Sequence, residues 1–89
     1  MLLLYKNTKF DKDIQRMKKR GKKLEKLWNI IELLVSEVHL PVKARNHALS
    51  GDFSGFMECH IEPDWLLIYE INNECVILAR TGTHSDLFG

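Results

Sequence analysis

The stretch FMECHIEPDWLLIYEINNECVILART, residues 56–81, decides the fold. It divides into three runs rich in β-branched, aromatic and aliphatic residues, 56–62, 65–71 and 74–81, separated by Pro63-Asp64 and by Asn72-Asn73. Both breaks are two residues of turn-forming type, so the spacing predicts three antiparallel strands joined by tight hairpins. Two-residue turns fix the register: Glu62 opposite Trp65, His60 opposite Leu67, Ile71 opposite Glu74 and Trp65 opposite Arg80. One face then gathers His60, Trp65 and Arg80. The other collects Met57, Cys59, Ile61, Leu66, Ile68, Ile77 and Ala79, apolar enough to lie against helices. Leu67, Tyr69, Ile71, Val76 and Leu78 fall on the His60 face, so part of that face has to be covered by a loop, a partner or the tail at 82–89.

Upstream, Leu2 to Tyr5 reads as a short strand. Thr8 is expected to cap a helix, with Asp11 reaching back, and Phe10, Ile14 and Met17 recur at helical spacing. Gly21 is placed to end it. A second helix is marked by Leu24, Leu27, Trp28, Ile31, Leu34, Val35 and Val38 and stops before Pro41. The short link at residues 20–23 makes the two an antiparallel helical hairpin. Residues 41–55 carry Pro, Asn, Ser, Asp and two glycines without periodicity and read as a long loop, which in a small domain is often functional. The fold class expected is α+β: an N-terminal strand and a helical hairpin packed on a small antiparallel sheet.

At 89 residues, 45% of them hydrophobic and 28% charged, the chain has the composition of one compact domain spanning residues 1–89. The apolar run at residues 1–5 is too short for a signal segment or a membrane span, so the cytoplasm is the expected location and no membrane is expected as a partner. Cys59 and Cys75 form no CxxC and are read as reduced, buried thiols. The net charge of +1 conceals an asymmetry: residues 1–49 hold twelve Lys+Arg against five Asp+Glu, and residues 50–89 hold one against seven. A basic surface concentrated on the helices points to nucleic acid.

Three of the four histidines, His47, His60 and His84, lie where the loop, a strand and the tail can meet. Cutting RNA without a metal requires a base for the ribose 2′-OH, an acid for the leaving 5′ oxygen, and positive charge on the phosphorane. Histidine, aspartate and arginine suit those tasks, and Arg80 is the one basic Lys or Arg in the acidic half. Plainer roles exist for each: His60 as a surface residue, Arg80 as a cation-π partner of Trp65, Trp65 as core, Asp64 as a turn former. Zinc ligation by the histidines and Asp64 lacks any short His spacing in its favour, and neither a metal nor a cofactor is expected.

The segments Arg45-Asn46-His47-Ala48-Leu49-Ser50-Gly51, His60-Ile61-Glu62-Pro63-Asp64-Trp65-Leu66-Leu67-Ile68-Tyr69 and Arg80-Thr81-Gly82-Thr83-His84-Ser85-Asp86-Leu87-Phe88 resemble the YafQ branch of the RelE toxins. In the first half the resemblance rests on Phe10, Lys19-Arg20-Gly21 and Leu40-Pro41. It implies a RelE-like, microbial-ribonuclease fold and a metal-independent endoribonuclease acting on messenger RNA in the ribosomal A site. It also implies a cognate antitoxin, with operator DNA bound only through the toxin–antitoxin complex. The family's working positions match His47, His60, Asp64, Trp65, Arg80, His84 and Phe88. Ala44 stands where relatives often carry Tyr, and Asn46 where they often carry Asp, so the loop before His47 is expected to sit differently.

Joining both lines, His84 is the expected general acid and Asp64 or His60 the base. His47 and Arg80 would hold the phosphate, and Trp65 and Phe88 would stack on the bases. Lys18, Lys19, Lys22 and Lys23 are expected to dock on ribosomal RNA by phosphate contact, although the same surface suits an acidic stretch of the antitoxin. The alternative is an inactive homologue serving only as a binding module in a repressor complex.

Overall fold

A computed structural model describes all 89 residues, Met1–Gly89, as an α+β fold. The chain runs β1 (Leu3–Lys6), α1 (Thr8–Lys19), α2 (Leu24–Val35), β2 (His47–Ala48), β3 (Met57–Glu62), β4 (Trp65–Ile71), β5 (Cys75–Gly82) and α3 (His84–Phe88). Single-turn 3-10 helices at Val42–Ala44 and Gly51–Phe53 flank β2, so the stretch read as a loop contains a short edge strand. The five strands form one sheet in the order β1-β5-β4-β3-β2. β1 runs parallel to β5, which corrects the expectation of a purely antiparallel sheet; everything from α1 to β4 is the long connection a parallel pair requires. No helix is long and apolar enough to cross a membrane.

Local chemistry sets the helix ends. Asn7, not Thr8, caps α1, its Oδ1 accepting the Phe10 N–H at 2.9 Å. Gly21, at φ 79°, closes the helix: its N–H donates to Lys18 O and that of Lys22 to Met17 O. α2 closes the same way earlier than expected, with Glu37 at φ 59° and the Val38 N–H donating to Leu33 O. A left-handed Glu costs roughly 1 kcal/mol and carries no glycine signal, which is why the sequence hides this end. Val38, beyond it, is exposed, and Trp28 is 40% exposed rather than core.

Two bulges decide which side chains share a face. Ile61 is an extra residue in β3 between the pairs His60↔Leu66 and Glu62↔Trp65, and Ala79 an extra residue in β5 between Tyr69↔Leu78 and Ile68↔Arg80. Each reverses the alternation beyond it. The expected pairings of His60 with Leu67 and Trp65 with Arg80 are thereby corrected. So is the last turn, where Ile71 faces Val76.

Cys59, Trp65, Leu67, Tyr69, Val76 and Leu78 pack with Phe10, Ile14, Met17, Leu27, Ile31 and Leu34 of the helices. Leu66, Ile68 and Ala79 instead lie beneath Leu87 of α3, with Phe53 and Phe56 alongside. The predicted apolar face had mixed these two sets. Both cysteines are free; Cys59 is buried, which pushes its thiol up to about 12, while Cys75 is half-buried.

β1 covers β5 only as far as Leu78, after which the chain turns into α1. Asp13 of α1 closes the edge left open. Its buried carboxylate accepts the Thr81 N–H at 3.1 Å and Arg80 Nε and Nη2 at 2.7 and 3.1 Å, and it also takes Arg16. A buried charge persists only when paired and hydrogen-bonded in this way.

A second carboxylate, Asp86, fastens α3 to the end of α1. Arg20 grips it through two hydrogen bonds, at 2.6 and 2.9 Å, and it completes a capping box with Thr83. Gly82 leaves the room, because a Cβ there would lie 2.9 Å from Asp86 Oδ2. The Arg20 guanidinium holds the Asp86 carboxyl well below the usual carboxylate range, with the Thr83 N–H helping.

Asp13→Ala strands the Thr81 N–H and leaves Arg80 without its anion. Urea unfolding is expected to show a loss of about 3 kcal/mol, and a loss under 1 kcal/mol would refute the edge-closing role. For Asp86 the folded pKa is depressed, so its contribution is complete above the ordinary carboxylate value of ~3.9 and is lost as pH falls through the folded value. The stability gap between the wild type and Asp86→Asn should therefore hold constant from neutral pH to about 5 and narrow below about 4. A gap independent of pH would contradict the ion pair.

Candidate active site

Glu58 and His60 are two apart on β3, so both project from the sheet face opposite the helical core, paired with Ile68 and Leu66. β2 sets His47 beside Glu58, and α3 brings His84 over the same face, with the His60 and His84 rings 5.9 Å apart between centroids. Three chain segments thus converge on one patch. It lies beside the apolar pad that Leu87 forms with Leu66, Ile68 and Ala79.

The three imidazoles are oriented alike. Nδ1 of His47 is 2.7 Å from Arg45 O, that of His60 is 3.2 Å from Pro63 O, and that of His84 is 2.6 Å from Asp64 Oδ1. Carbonyls accept and never donate. The Asp64 carboxyl is held below its usual range, first by the His84 backbone N–H and then by the His84 ring, so it too accepts. Each Nδ1 therefore carries a proton and donates it, and each Nε2 is left for the site. Nε2 of His47 and of His60 face the same oxygen, Glu58 Oε1, at 3.4 and 3.8 Å. Two imidazole Nε2 atoms thus meet around one carboxylate oxygen, with Glu58 buried, His60 half-buried and His47 exposed. Nε2 of His84 stays unpaired on a half-exposed ring.

The structure brings His47, His60, Asp64 and His84 together as expected, and sets Phe88 next to His84 with its ring edge-on to Phe53. It separates Trp65 from them. Trp65 is fully buried in the helix-side core, its indole N–H donating to Thr81 Oγ1 at 2.9 Å, so the expected stacking on a base is corrected. Arg80 pairs with Asp13 rather than with Trp65; Nε and Nη2 are committed there, leaving Nη1. Among the four lysines, Lys18, Lys19 and Lys23 are exposed and unpaired. Lys22 is not free, since it and Lys26 clasp Glu62 at 2.7 and 2.9 Å.

Sequence reasoning missed Glu58, and the signal was present: a carboxylate and a histidine at i and i+2 of a strand share a face. It also missed Asp13, Arg20 and Asp86, whose partners are sixty-six to sixty-eight residues away in sequence. Phe53, the partner of Phe88, was hidden in the loop. Chemically the patch can move protons between Nε2 atoms and Glu58. Ligand atoms of Glu58, His60 and His84 also lie within 4.8 Å of one another, and imidazoles whose Nδ1 is held by a carbonyl or carboxylate are typical of metal ligands.

Comparison with known proteins agrees with this geometry. A family profile described as "Bacterial toxin of type II toxin-antitoxin system, YafQ" matches residues 3–89. The mRNA interferase toxin YafQ of Escherichia coli K12 is 38% identical over 81 residues, covering 90% of this chain and 88% of the relative. Of the solved structures, YafQ in the E. coli DinJ-YafQ toxin-antitoxin complex superposes with a TM-score of 0.92 at 35% identity, covering 99% of this chain and 98% of the other. A metal-bound toxin from Helicobacter pylori gives a TM-score of 0.92 at 39% identity, covering 99% of this chain and all of the other. With matching sequence along almost its whole length and the same fold, the chain belongs to the YafQ family of bacterial toxins of type II toxin–antitoxin systems.

Proposed function

We propose that this chain is an endoribonuclease that cuts messenger RNA on the ribosome without a metal, by attack of a ribose 2′-OH on the adjoining phosphate. The carrying observation is the common orientation of the three imidazoles, each with Nδ1 tied and Nε2 presented around the buried Glu58. In this reading the Glu58–His60 pair takes the 2′-OH proton, O2′ bonds to phosphorus, and the bond to O5′ breaks as His84 Nε2 donates a proton to it. The products are a 2′,3′-cyclic phosphate and a 5′-OH. Asp64, whose Oδ1 accepts from both the ring and the backbone N–H of His84, orients the acid rather than acting as the base.

His47 and the uncommitted Nη1 of Arg80 would meet the charge on the phosphorane, and the half-exposed Phe88 would stack on a base. The family resemblance and the antitoxin-bound relative support a cognate antitoxin as partner, with operator DNA contacted through the complex. Exposed Lys18, Lys19 and Lys23 suit ribosomal RNA phosphates, with Lys22 engaged by Glu62.

Mapping of messenger RNA 5′ ends in a purified translation reaction, with and without ribosomes, tests this reading. The wild type should cut only with ribosomes present and in register with codons. His84→Ala should cut about 10²- to 10⁴-fold more slowly with its fold intact, the range for losing a general acid; wild-type cutting by that variant would sink the assignment. Glu58→Gln keeps the size of the side chain but cannot accept the proton, and should slow single-turnover cleavage about 10²-fold. An unchanged rate would leave Glu58 a purely structural group.

A further inference from the structure

A cleft of about 440 Å³ lies between α2, the Val42–Ala44 turn and the β3–β4 hairpin. Its walls include Lys26, Ile30, Lys43, Arg45, His60 and Ile61, and its size is within the range that holds a nucleotide-sized ligand. His60 is a residue of the cleft wall and of the catalytic cluster alike, so the two adjoin at that residue. Lys26 is already spent on Glu62. Lys43 and Arg45 are exposed, and their side chains have neither an ion pair nor a hydrogen bond. Two uncommitted cations beside an aliphatic wall of Ile30 and Ile61 present what one nucleotide needs: charge for a phosphate and an apolar surface for a base.

The rim is built rather than loose. Arg45 sits in the left-handed region, φ 49° and ψ 47°, at a cost of roughly 1 kcal/mol for a residue with a Cβ. Two contacts hold it there: Arg45 O accepts from His47 Nδ1, and the neighbouring Asn46 Oδ1 accepts the Tyr69 hydroxyl at 2.6 Å. Strain kept in place at the edge of a site is a mark of a positioned functional group. One residue therefore orients a catalytic imidazole through its carbonyl and forms part of the cleft wall.

We propose that this cleft is a subsite for the nucleotide of the single-stranded substrate RNA that adjoins the cut, with Lys43 and Arg45 on its phosphate and Ile30 and Ile61 against its base. The proposal rests on the ribonuclease reading above. It makes Lys43 and Arg45 phosphate-binding residues and leaves contact with the base to Ile30 and Ile61.

The test titrates a five-nucleotide RNA into full-length protein carrying His84→Ala, which leaves the probe uncut, and follows backbone NMR shifts. Shifts are expected at Lys43, Arg45 and Ile61 together with His60. Adding Lys43→Gln and Arg45→Gln should weaken binding at least tenfold. It should also flatten the dependence of log affinity on log salt by about 0.7 for each cation removed, the slope for a single-strand phosphate contact. In ribosome-dependent cleavage with His84 intact, Lys43→Gln should raise KM several-fold at unchanged kcat and leave the base preference beside the cut unaltered, and Lys43→Arg should restore KM.

Unchanged affinity and salt slope in the double variant would overturn the subsite while leaving the ribonuclease reading standing. A wild type that binds the probe in the cleft but cuts no RNA would sink the ribonuclease reading instead. Loss of antitoxin affinity alone, or loss of ribosome-bound cutting with affinity for the five-nucleotide probe unchanged, would assign the cleft to a protein or to ribosomal RNA and overturn the proposal.

Discussion

The extra residue in β5, Ala79, is the constraint on which both faces of the sheet depend. With regular alternation Arg80 would follow Val76 and Leu78 into the helix-side core, where a guanidinium has no place. The bulge gives that position to Thr81, whose hydroxyl receives the Trp65 indole N–H and donates to Leu66 O at 2.6 Å. Arg80 moves into the cross-strand row of Ile68 and Glu58. One inserted residue thus satisfies the polar atom of the largest core side chain and re-aims the one arginine of the acidic half.

Two carboxylates turn that arrangement into a fixed site. Asp13 closes the edge of β5 that β1 leaves open and holds Arg80 from the side, and Asp86 binds α3 to the end of α1. A five-residue helix has no stability of its own, since nucleation outweighs so few backbone hydrogen bonds. His84 is therefore positioned only as well as Leu87, the Thr83 capping box and Arg20 hold α3. The basic helices accordingly serve the sheet in a way their charge alone does not suggest: Arg16 and Arg20 face inward to carboxylates, whereas Lys18, Lys19 and Lys23 stay in solvent.

Much of this was legible in the sequence. Phe10, Ile14 and Met17, and Leu27, Ile31 and Leu34, show helical spacing because burial on one stripe requires it, and all six are core. Pro63-Asp64 marked the first hairpin and Gly21 the end of α1. Bulges were not legible, since Ile61 and Ala79 look like any other apolar strand residues and an insertion leaves no local trace in the residues themselves. That hid Trp65 in the core and spoiled the face assignment. The polar nodes were equally hidden, because Asp13, Arg20 and Asp86 find their partners only after folding, and a lysine such as Lys22 reads the same whether free or clasping Glu62. Among the site residues, the histidines, Asp64 and Phe88 were reached through chemistry and family resemblance. Glu58 was missed although strand periodicity, which gathered His60 and Arg80 on one face, places it on the face of His60 as well.

The chemistry at the cut is the claim everything else serves, and the 3′ ends of the fragments report it most directly. Mass spectrometry of RNA cleaved by the wild-type protein on ribosomes should find 2′,3′-cyclic phosphates facing 5′-hydroxyl ends, the signature of attack by the neighbouring 2′-OH with proton transfer through Glu58, His60 and His84. Fragments ending in a free 3′-hydroxyl and beginning with a 5′-phosphate would mean that water attacked from the other side, and would contradict the roles given to all three.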